Sequence, residues 1–415
     1  MKRIKRIMVK VGIDDLNIYG STLSLDFSEV KLARGFSDKE FNKIRFTRRS
    51  VVPIYEDSVT LAINAAKPII DKVGADQFAL LIVATETGVD YGKPLSSYIH
   101  RYLDLGANCR NFEIKHACYA GTAGLQTAAS FVRAGNIPPG KKVLLVMTDI
   151  GRQHFHESGE LSVGAGAIAL SISQDPKVFE LESYNGCAAH EVFDTARPTQ
   201  SSEWIDPVLS LCSYLDLLEI AWDEYQCAAG PVSYEEHFAH AIYHTPLISL
   251  VEQAHQSLVE SNREEVTKDE IAASFERMVK PGLRYNRELA NIYSGSLYVA
   301  LAGLLESTPD LHPGNRIGCF SYGSGACAEF FSGLVCKEAR DILTSHRIGE
   351  RLAARRSVSV EEYEAAVRGV EEGFVQANFK PNWDIPTGHY EQAYRGKELL
   401  VLDQVSNHYR TYKWS

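Results

Sequence analysis

Nowhere does this chain hold an uninterrupted apolar run approaching the ~18 residues of a membrane span. Its basic start, Met1-Lys-Arg-Ile-Lys-Arg-Ile, leads into no apolar stretch of signal-peptide length, so the cytoplasm is the expected compartment. Excess positive charge is missing too. The 43 Lys and Arg against 53 Asp and Glu leave a net −10, which argues against generic nucleic-acid binding. The eight cysteines (109, 118, 187, 212, 227, 319, 327, 336) show no paired metal-ligand spacing, nor are they concentrated as in a small secreted scaffold. No dinucleotide fingerprint is present. The turns at Gly164-Ala-Gly166 and Gly323-Ser-Gly325 lack the third glycine and the βαβ setting, which excludes a nicotinamide site.

What the chain does hold is enough apolar residue, 45%, to bury a large core, and a length of 415 residues that suggests two or three domains or one composite body. Continuous apolar runs at Phe78 to Thr85 and Lys142 to Thr148 read as buried strands. Helical spacing covers Ser58 to Asp71, Cys118 to Ala134 and Glu270 to Val279. Capping boxes at Ser37…Glu40, Thr267…Glu270 and Ser359…Glu362 mark helix starts. Strands alternating with helices predict an α/β fold. An internal echo adds to this: Val163-Gly-Ala-Gly-Ala-Ile-Ala-Leu170 resembles Tyr322-Gly-Ser-Gly-Ala-Cys-Ala-Glu329, as two halves of like fold produce. The expected division is 1–175 and 176–415. Within the second half, Tyr184 to Tyr234 reads as an irregular insertion with Pro198, Pro207 and Pro231. From Arg355 onward the chain is more polar yet keeps Tyr363, Phe374, Trp383, Tyr390, Tyr394 and Trp414, so a tail docked on the body is expected.

Cys118, in Glu113-Ile-Lys-His-Ala-Cys118-Tyr-Ala-Gly-Thr-Ala-Gly124, stands where a short segment meets a small-residue helix. Free helix N–H groups and the helix dipole at such a junction favour the thiolate. The alternative is a buried small hydrophobe, which cysteine often is. Glu86 ends an apolar strand, where a carboxylate acquires a raised pKa and serves as a base, or simply faces water. His244 precedes Thr245-Pro246 at the end of a strand-like segment, with His240 as a nearby decoy. His154-Phe-His156-Glu157 offers three potential metal ligands, but without a distant fourth it reads as a solvated loop. Asn291 is either an N-cap or an amide donor facing a cleft. Ser324, between two glycines, can expose a backbone N–H to an oxyanion. Lys31, Arg34, Lys39, Lys43, Arg45, Arg48 and Arg49 form a basic group suited to a phosphate or an acidic protein.

In chain order, ATETGVD around Glu86, FEIKHACYAGTAGLQTA around Cys118, GAGAIAL at 164–170, FDTARP at 193–198, YHTP around His244, NIYSGSLY around Asn291 and IGCFSYGSGACAEF around Ser324 resemble the 3-hydroxy-3-methylglutaryl-CoA synthase family. The likeness covers essentially the whole length. It implies a thiolase fold, two duplicated halves in a five-layered α-β-α-β-α body. It further implies an acyltransferase with Glu86, Cys118 and His244 as catalytic set. Cys118 takes an acetyl group, Glu86 forms the enolate, and His244 with Asn291 polarises the acceptor ketone. Ser324, Tyr322 and Gly323 fall at the family's substrate and oxyanion positions, and Asp149 and Asp194 at supporting ones. No bound cofactor or metal is implied, since acyl groups arrive on phosphopantetheine or coenzyme A. A homodimer is implied.

The N-terminal stretch, GVDYGKPLSSYIHRYL and the ending HYRTYKWS are similar to the polyketide β-branching members, which act on acyl carrier proteins as donor and acceptor. Arg34 is then the candidate for the pantetheine phosphate. One feature departs from that branch, the short segment from Asp149 to Gly164, which is as in the bacterial primary-metabolism enzymes; Ala196-Arg197-Pro198 in the aspartate motif differs in turn from the aromatic-containing primary-metabolism form. The mevalonate-pathway synthase is therefore the main rival. An initiating ketoacyl synthase is disfavoured by Glu86, and a non-catalytic scaffold by the intact Glu, Cys and His set.

Overall fold

Alternation along one strand shows how the layers arise. In Phe78–Ala84, Leu80, Ile82 and Ala84 belong to one hydrophobic core and Leu81 and Val83 to another, because successive side chains leave opposite faces of a strand. Both cores are dry, so the strand reads as a continuous apolar run. The computed structural model describes residues 9–152, 154–199 and 203–415, and the basic N-terminal run lies outside them.

Nine strands build the main sheet system: β1 Gly12–Tyr19, β2 Phe78–Ala84, β3 Arg110–Ile114, β4 Lys142–Ile150, β5 Ala165–Ser173, β6 Phe179–Ala189, β7 His240–Tyr243, β8 Arg316–Gly323 and β9 Cys327–Val335. Their spatial order is β7-β8-β9-β6-β1-β5-β4-β2-β3. Read from the middle outward, the order repeats. In the first half β1 is followed by β5, β4 and β2; in the second β6 is followed by β9, β8 and β7. The pairings repeat as well: β2 with β4 and β7 with β8 are parallel, while β4 with β5 and β8 with β9 are antiparallel. Only Gly12↔Glu180 and Ile13↔Phe179 join the two sets. The two glycine turns occupy equivalent places, each leading into the last strand of its half.

Helices complete five layers. Ala120–Arg133 and Ser296–Ser307 share the central core with the inner faces of both sheets. Ser58–Val73 and Leu95–Tyr102 cover the outer face of the first sheet, and Pro207–Ala229 and Ile248–Asn262 that of the second. Every residue from Ser296 to Leu304 is buried, as expected for a helix enclosed on all sides. Each fully buried aliphatic side chain there contributes about 1.5–3 kcal/mol. Thr122 and Tyr298 hydroxyls, 2.9 Å apart, tie the two central helices together. All three capping boxes form, at Ser37, Thr267 and Ser359.

The stretch 184–234 corrects the sequence reading. It is not irregular: β6 runs to Ala189, and a 23-residue helix spans Pro207–Ala229. Pro207 stands in the first turn, where a missing N–H costs nothing, and Asp206 caps the helix by accepting from Val208 and Leu209 N–H at 3.1 and 3.0 Å. Tyr214, Leu217, Leu218, Ala221, Trp222 and Tyr225 make its buried face. The chain beyond Arg355 packs on the body through Tyr55, which meets Trp383, Tyr390 and Tyr394 at ring distances of 4.9–5.4 Å.

Gly164 marks the closest approach of the halves. A Cβ there falls 1.8 Å from the Leu289 carbonyl oxygen, and its N–H donates to the Asn291 carbonyl at 2.8 Å. Gly164→Ala is expected to cost about 1–3 kcal/mol or more in urea unfolding. A cost within the noise of the melt contradicts this packing.

Candidate active site

The Cys118 turn is built by steric economy. After β3 the backbone turns at Ala117, a non-glycine residue at φ 40°, and the Tyr119 N–H bonds back to the His116 carbonyl at 3.0 Å. A non-glycine residue in this region stores strain of the order of 1–2 kcal/mol, which surrounding contacts must hold. Those contacts come from the other half. Gly323 lies so close that a Cβ there meets the Tyr119 nitrogen at 2.5 Å, and a Cβ on Gly121 meets the Ser294 carbonyl oxygen at 2.3 Å. The Tyr119 hydroxyl donates to buried Glu329 at 2.8 Å, where Gln126 and Asn185 also donate, each at 2.6 Å. Cys118 itself is partly open.

Glu86 follows β2 and reaches the cysteine, whose Sγ donates to Oε1 at 3.6 Å. Burial raises the Glu86 pKa to about 8. The Arg197 cation pulls it down, while Asp149 and Glu203 push it up. Burial, then the Glu86 charge, drives the Cys118 thiol well above its ordinary range. This corrects the thiolate expectation. Cys118 stands two residues before the Ala120–Arg133 helix, and desolvation with nearby carboxylates outweighs the helix dipole, which favours the neutral thiol.

Asp149, wholly buried at the end of β4, holds this corner. One oxygen accepts from the Thr85 hydroxyl at 3.0 Å, the Glu86 N–H at 2.9 Å and the Thr87 hydroxyl at 2.8 Å. The other accepts from the Ser294 N–H at 3.2 Å and from the Ser294 hydroxyl. Ser294 belongs to the loop of Asn291, which opens the second central helix as Cys118 opens the first. Asn291 Oδ1 accepts from the Tyr293 N–H at 2.9 Å and the Ser296 hydroxyl at 2.8 Å, which leaves the amide NH₂ as the outward-acting group.

His244 follows β7 and is 2% exposed; its N–H donates to the Phe320 carbonyl at 2.7 Å and its carbonyl accepts from Tyr214 at 2.8 Å. Burial lowers its pKa to about 3, so the imidazole is neutral. His240, the decoy, is buried against the Met278 carbonyl at 3.3 Å. Ser324 lies in the β8–β9 turn, partly exposed, beside the Gly323 contact. The Tyr322 hydroxyl is committed to Asp194 at 3.0 Å, and Asp194 also accepts the Gly325 N–H at 3.0 Å. Tyr322 thus braces the turn.

Arg34 is placed otherwise than its sequence neighbours suggested. Its side chain is 4% exposed, held by Glu160 at 3.0 Å and Glu364 at 2.8 Å, so its guanidinium already has both its counter-charges. The rest of the basic group is largely paired in the same manner: Lys31 with Asp38, Arg45 with Glu252, Arg48 with Glu288. His154, His156 and Glu157 sit on the surface; among the described residues no group of three or more His, Cys, Asp or Glu could hold a metal ion.

One cluster escaped the sequence reading. Arg197 pairs with Glu203 at 3.0 Å and lies 5.4 Å above the Tyr293 ring, while the Tyr293 hydroxyl donates to Glu203 at 2.7 Å. The only sequence signal was the Ala-Arg-Pro form of the aspartate motif. The cluster supplies the positive charge that offsets the carboxylates around Glu86.

A thiol ahead of one central helix in contact with a carboxylate, with a buried neutral imidazole at a strand end of the other half, suits carbon–carbon bond formation on thioesters. Two family models match the chain: hydroxymethylglutaryl-coenzyme A synthase N terminal over residues 8–177 and hydroxymethylglutaryl-coenzyme A synthase C terminal over 253–413. This chain belongs to the hydroxymethylglutaryl-CoA synthase family. The synthase is 38% identical over 424 residues to the polyketide biosynthesis 3-hydroxy-3-methylglutaryl-ACP synthase PksG of Bacillus subtilis, with 98% of this chain and 100% of that one covered. It is 34% identical to the hydroxymethylglutaryl-CoA synthase of Enterococcus faecalis, over 86% and 91% of the two chains. Among solved structures, the curacin biosynthetic pathway HMG synthase matches with TM-score 0.93 and 38% identity, covering 98% and 100%; the same protein has been solved with acetyl donor-ACP. MvaS in complex with 3-hydroxy-3-methylglutaryl coenzyme A matches at TM-score 0.88 and 31% identity, covering 98% and 99%. The fold is thus the thiolase-like fold of these synthases.

Because folding raises the Glu86 pKa, the native synthase holds that proton more tightly than the unfolded chain. Its contribution is complete below the unfolded value of 4.5 and is lost as pH rises toward about 8. Glu86→Gln removes the linkage. The variant is expected to gain on wild type steadily between about pH 5 and pH 8, by at most about 1.4 kcal/mol per pH unit, and to level off above. Urea melts across that range test this, and curves that stay parallel contradict it.

Proposed function

We propose that this enzyme is the 3-hydroxy-3-methylglutaryl synthase of a polyketide β-branching system, an acyltransferase working between a donor and an acceptor acyl carrier protein. The observation that carries the chemistry is the Cys118–Glu86 contact at 3.6 Å. The carrier assignment is supported by 38% identity to a carrier-dependent relative over its full length, against 34% over 86% of this chain for a CoA-dependent one.

Glu86 accepts the Cys118 proton as Sγ attacks the acetyl thioester, and the departing carrier thiolate takes that proton up. The acetyl group is then on Cys118. Glu86, again a carboxylate, removes a methyl proton, and the enolate oxygen is stabilised by backbone donors near Cys118 and Ser324. The enolate carbon adds to the β-ketone of the acceptor, which His244 and Asn291 polarise by hydrogen bonding. With a pKa near 3, His244 does not supply a proton to the alkoxide; protonated Glu86 returns the one it took. Water then cleaves the Cys118 thioester: its oxygen joins the acyl carbon, one of its protons passes to the departing Cys118 sulfur, and the other goes to solvent as the branched chain leaves with a carboxylate. A pKa near 8 suits Glu86 to both roles, base and acid, close to neutral pH. The acyl groups arrive on phosphopantetheine. No helix among the described residues is long and apolar enough to cross a membrane.

Intact-protein mass spectrometry tests the assignment. Acetylation from an acetyl-loaded carrier is expected to outpace that from acetyl-CoA at least tenfold, and Cys118→Ala is expected to abolish it. Faster loading from acetyl-CoA, with turnover of acetoacetyl-CoA, moves the enzyme to the mevalonate type.

A further inference from the structure

A cleft of about 990 Å³ opens beyond the Arg197 cluster, lined by Arg152, Pro198, Phe374, Val375, Val405 and Arg410 among others. It falls in the size range of small-molecule sites and has no part in the reaction above. Arg152 lines it, only 8% exposed, with both terminal nitrogens buried and without a hydrogen-bond partner among the described residues. The nearest carboxylate, Glu371, stays at 3.9 Å, outside hydrogen-bond reach, and the guanidinium lies 4.6 Å from the Phe374 ring centroid.

The other charges around the cleft are already spoken for. Arg410 pairs with Asp57 at 3.2 Å and donates to the Gly373 carbonyl at 2.8 Å; Arg368 pairs with Glu364 at 2.6 Å. Asp90 accepts from the Gly92 and Lys93 N–H groups, each at 2.7 Å. Glu371 and Glu372 line the cleft as well, so no diffuse positive field would hold a small anion. What remains is a buried, planar fork with two idle donors, facing a cavity walled by Phe374, Val375 and Val405. A buried cation with only one long ion pair and no hydrogen bond to its terminal nitrogens is costly, and a guanidinium fork matches two oxygens of one acid group.

We propose that this cleft is a binding site for an organic oxyanion, a carboxylate or a phosphate, held by Arg152 with its carbon skeleton against Phe374 and the valines. The proposal does not rest on the assignment of carrier or substrate. Such an anion has two sources here, a carboxylate such as the hydrolytic product bears and the phosphate of a pantetheine arm.

Isothermal titration calorimetry on the full-length protein distinguishes them, using glutarate in one arm and inorganic pyrophosphate in the other at matched ionic strength. Saturable binding of one probe is expected, weakened about tenfold or more in Arg152→Met and less in Arg152→Lys, which keeps the charge but not the fork. Saturation by glutarate identifies a carboxylate site and saturation by pyrophosphate a phosphate site. Absence of saturable binding of either probe to the wild-type protein overturns the proposal. So does undiminished binding by Arg152→Met or, should that variant not fold, by Arg152→Lys.

Discussion

Five hydrogen bonds into the Asp149 carboxylate hold the rest of the site in place. Three come from the Thr85–Thr87 turn that carries Glu86, and two from Ser294 in the loop that carries Asn291. A buried carboxylate without partners is expensive, and one that is fully hydrogen-bonded is rigid. Asp149 therefore fixes the Glu86 turn and the Asn291 loop relative to each other, and so ties together the two halves of a duplicated fold. The close glycine contacts at Gly121, Gly164 and Gly323 permit that geometry, because no side chain fits between the backbones they join.

The same burial sets the electrostatics. Glu86 and Cys118 both bind their protons more tightly than in water, whereas His244 binds its proton less tightly. Burial is the largest cause of all three, and neighbouring carboxylates add to it at Glu86 and Cys118. Burial thus favours the uncharged form of each of the three groups. Arg197, held over Tyr293 and against Glu203, limits how far the Glu86 pKa climbs. Without such a cation a carboxylate among carboxylates would be too basic to ionise near neutrality.

Much of this was legible in the sequence because it is local. Glu86 at the end of an apolar strand, Cys118 before a small-residue helix and the three capping boxes each depend on a few neighbouring residues. The pairing of the two glycine turns was visible because equivalent positions in both halves need the same close approach. Three features were not legible. Pro207 read as a break, although a proline in the first turn starts a helix. The dipole argument for a Cys118 thiolate omitted the carboxylates that only tertiary structure brings near. Arg34 read as a free cation because Glu160 and Glu364 lie far away in sequence; its bond to Glu160 spans 126 residues. Arg152 and Arg197 escaped notice for the same reason, since a buried cation is recognisable only by what surrounds it.

The account stands on Glu86 as the group that enolises an acetyl thioester held by Cys118. The most direct measurement loads wild type and Glu86→Ala from a trideuteroacetyl carrier, then adds an acetoacetyl-loaded carrier and follows both proteins by intact-mass spectrometry. Wild type is predicted to pass the acetyl unit to the acceptor and return to free Cys118. The variant is predicted to remain acetylated, with its three deuterons retained and the acceptor unchanged. Condensation by Glu86→Ala at the wild-type rate would contradict the account, because the methyl proton would then leave by way of another group.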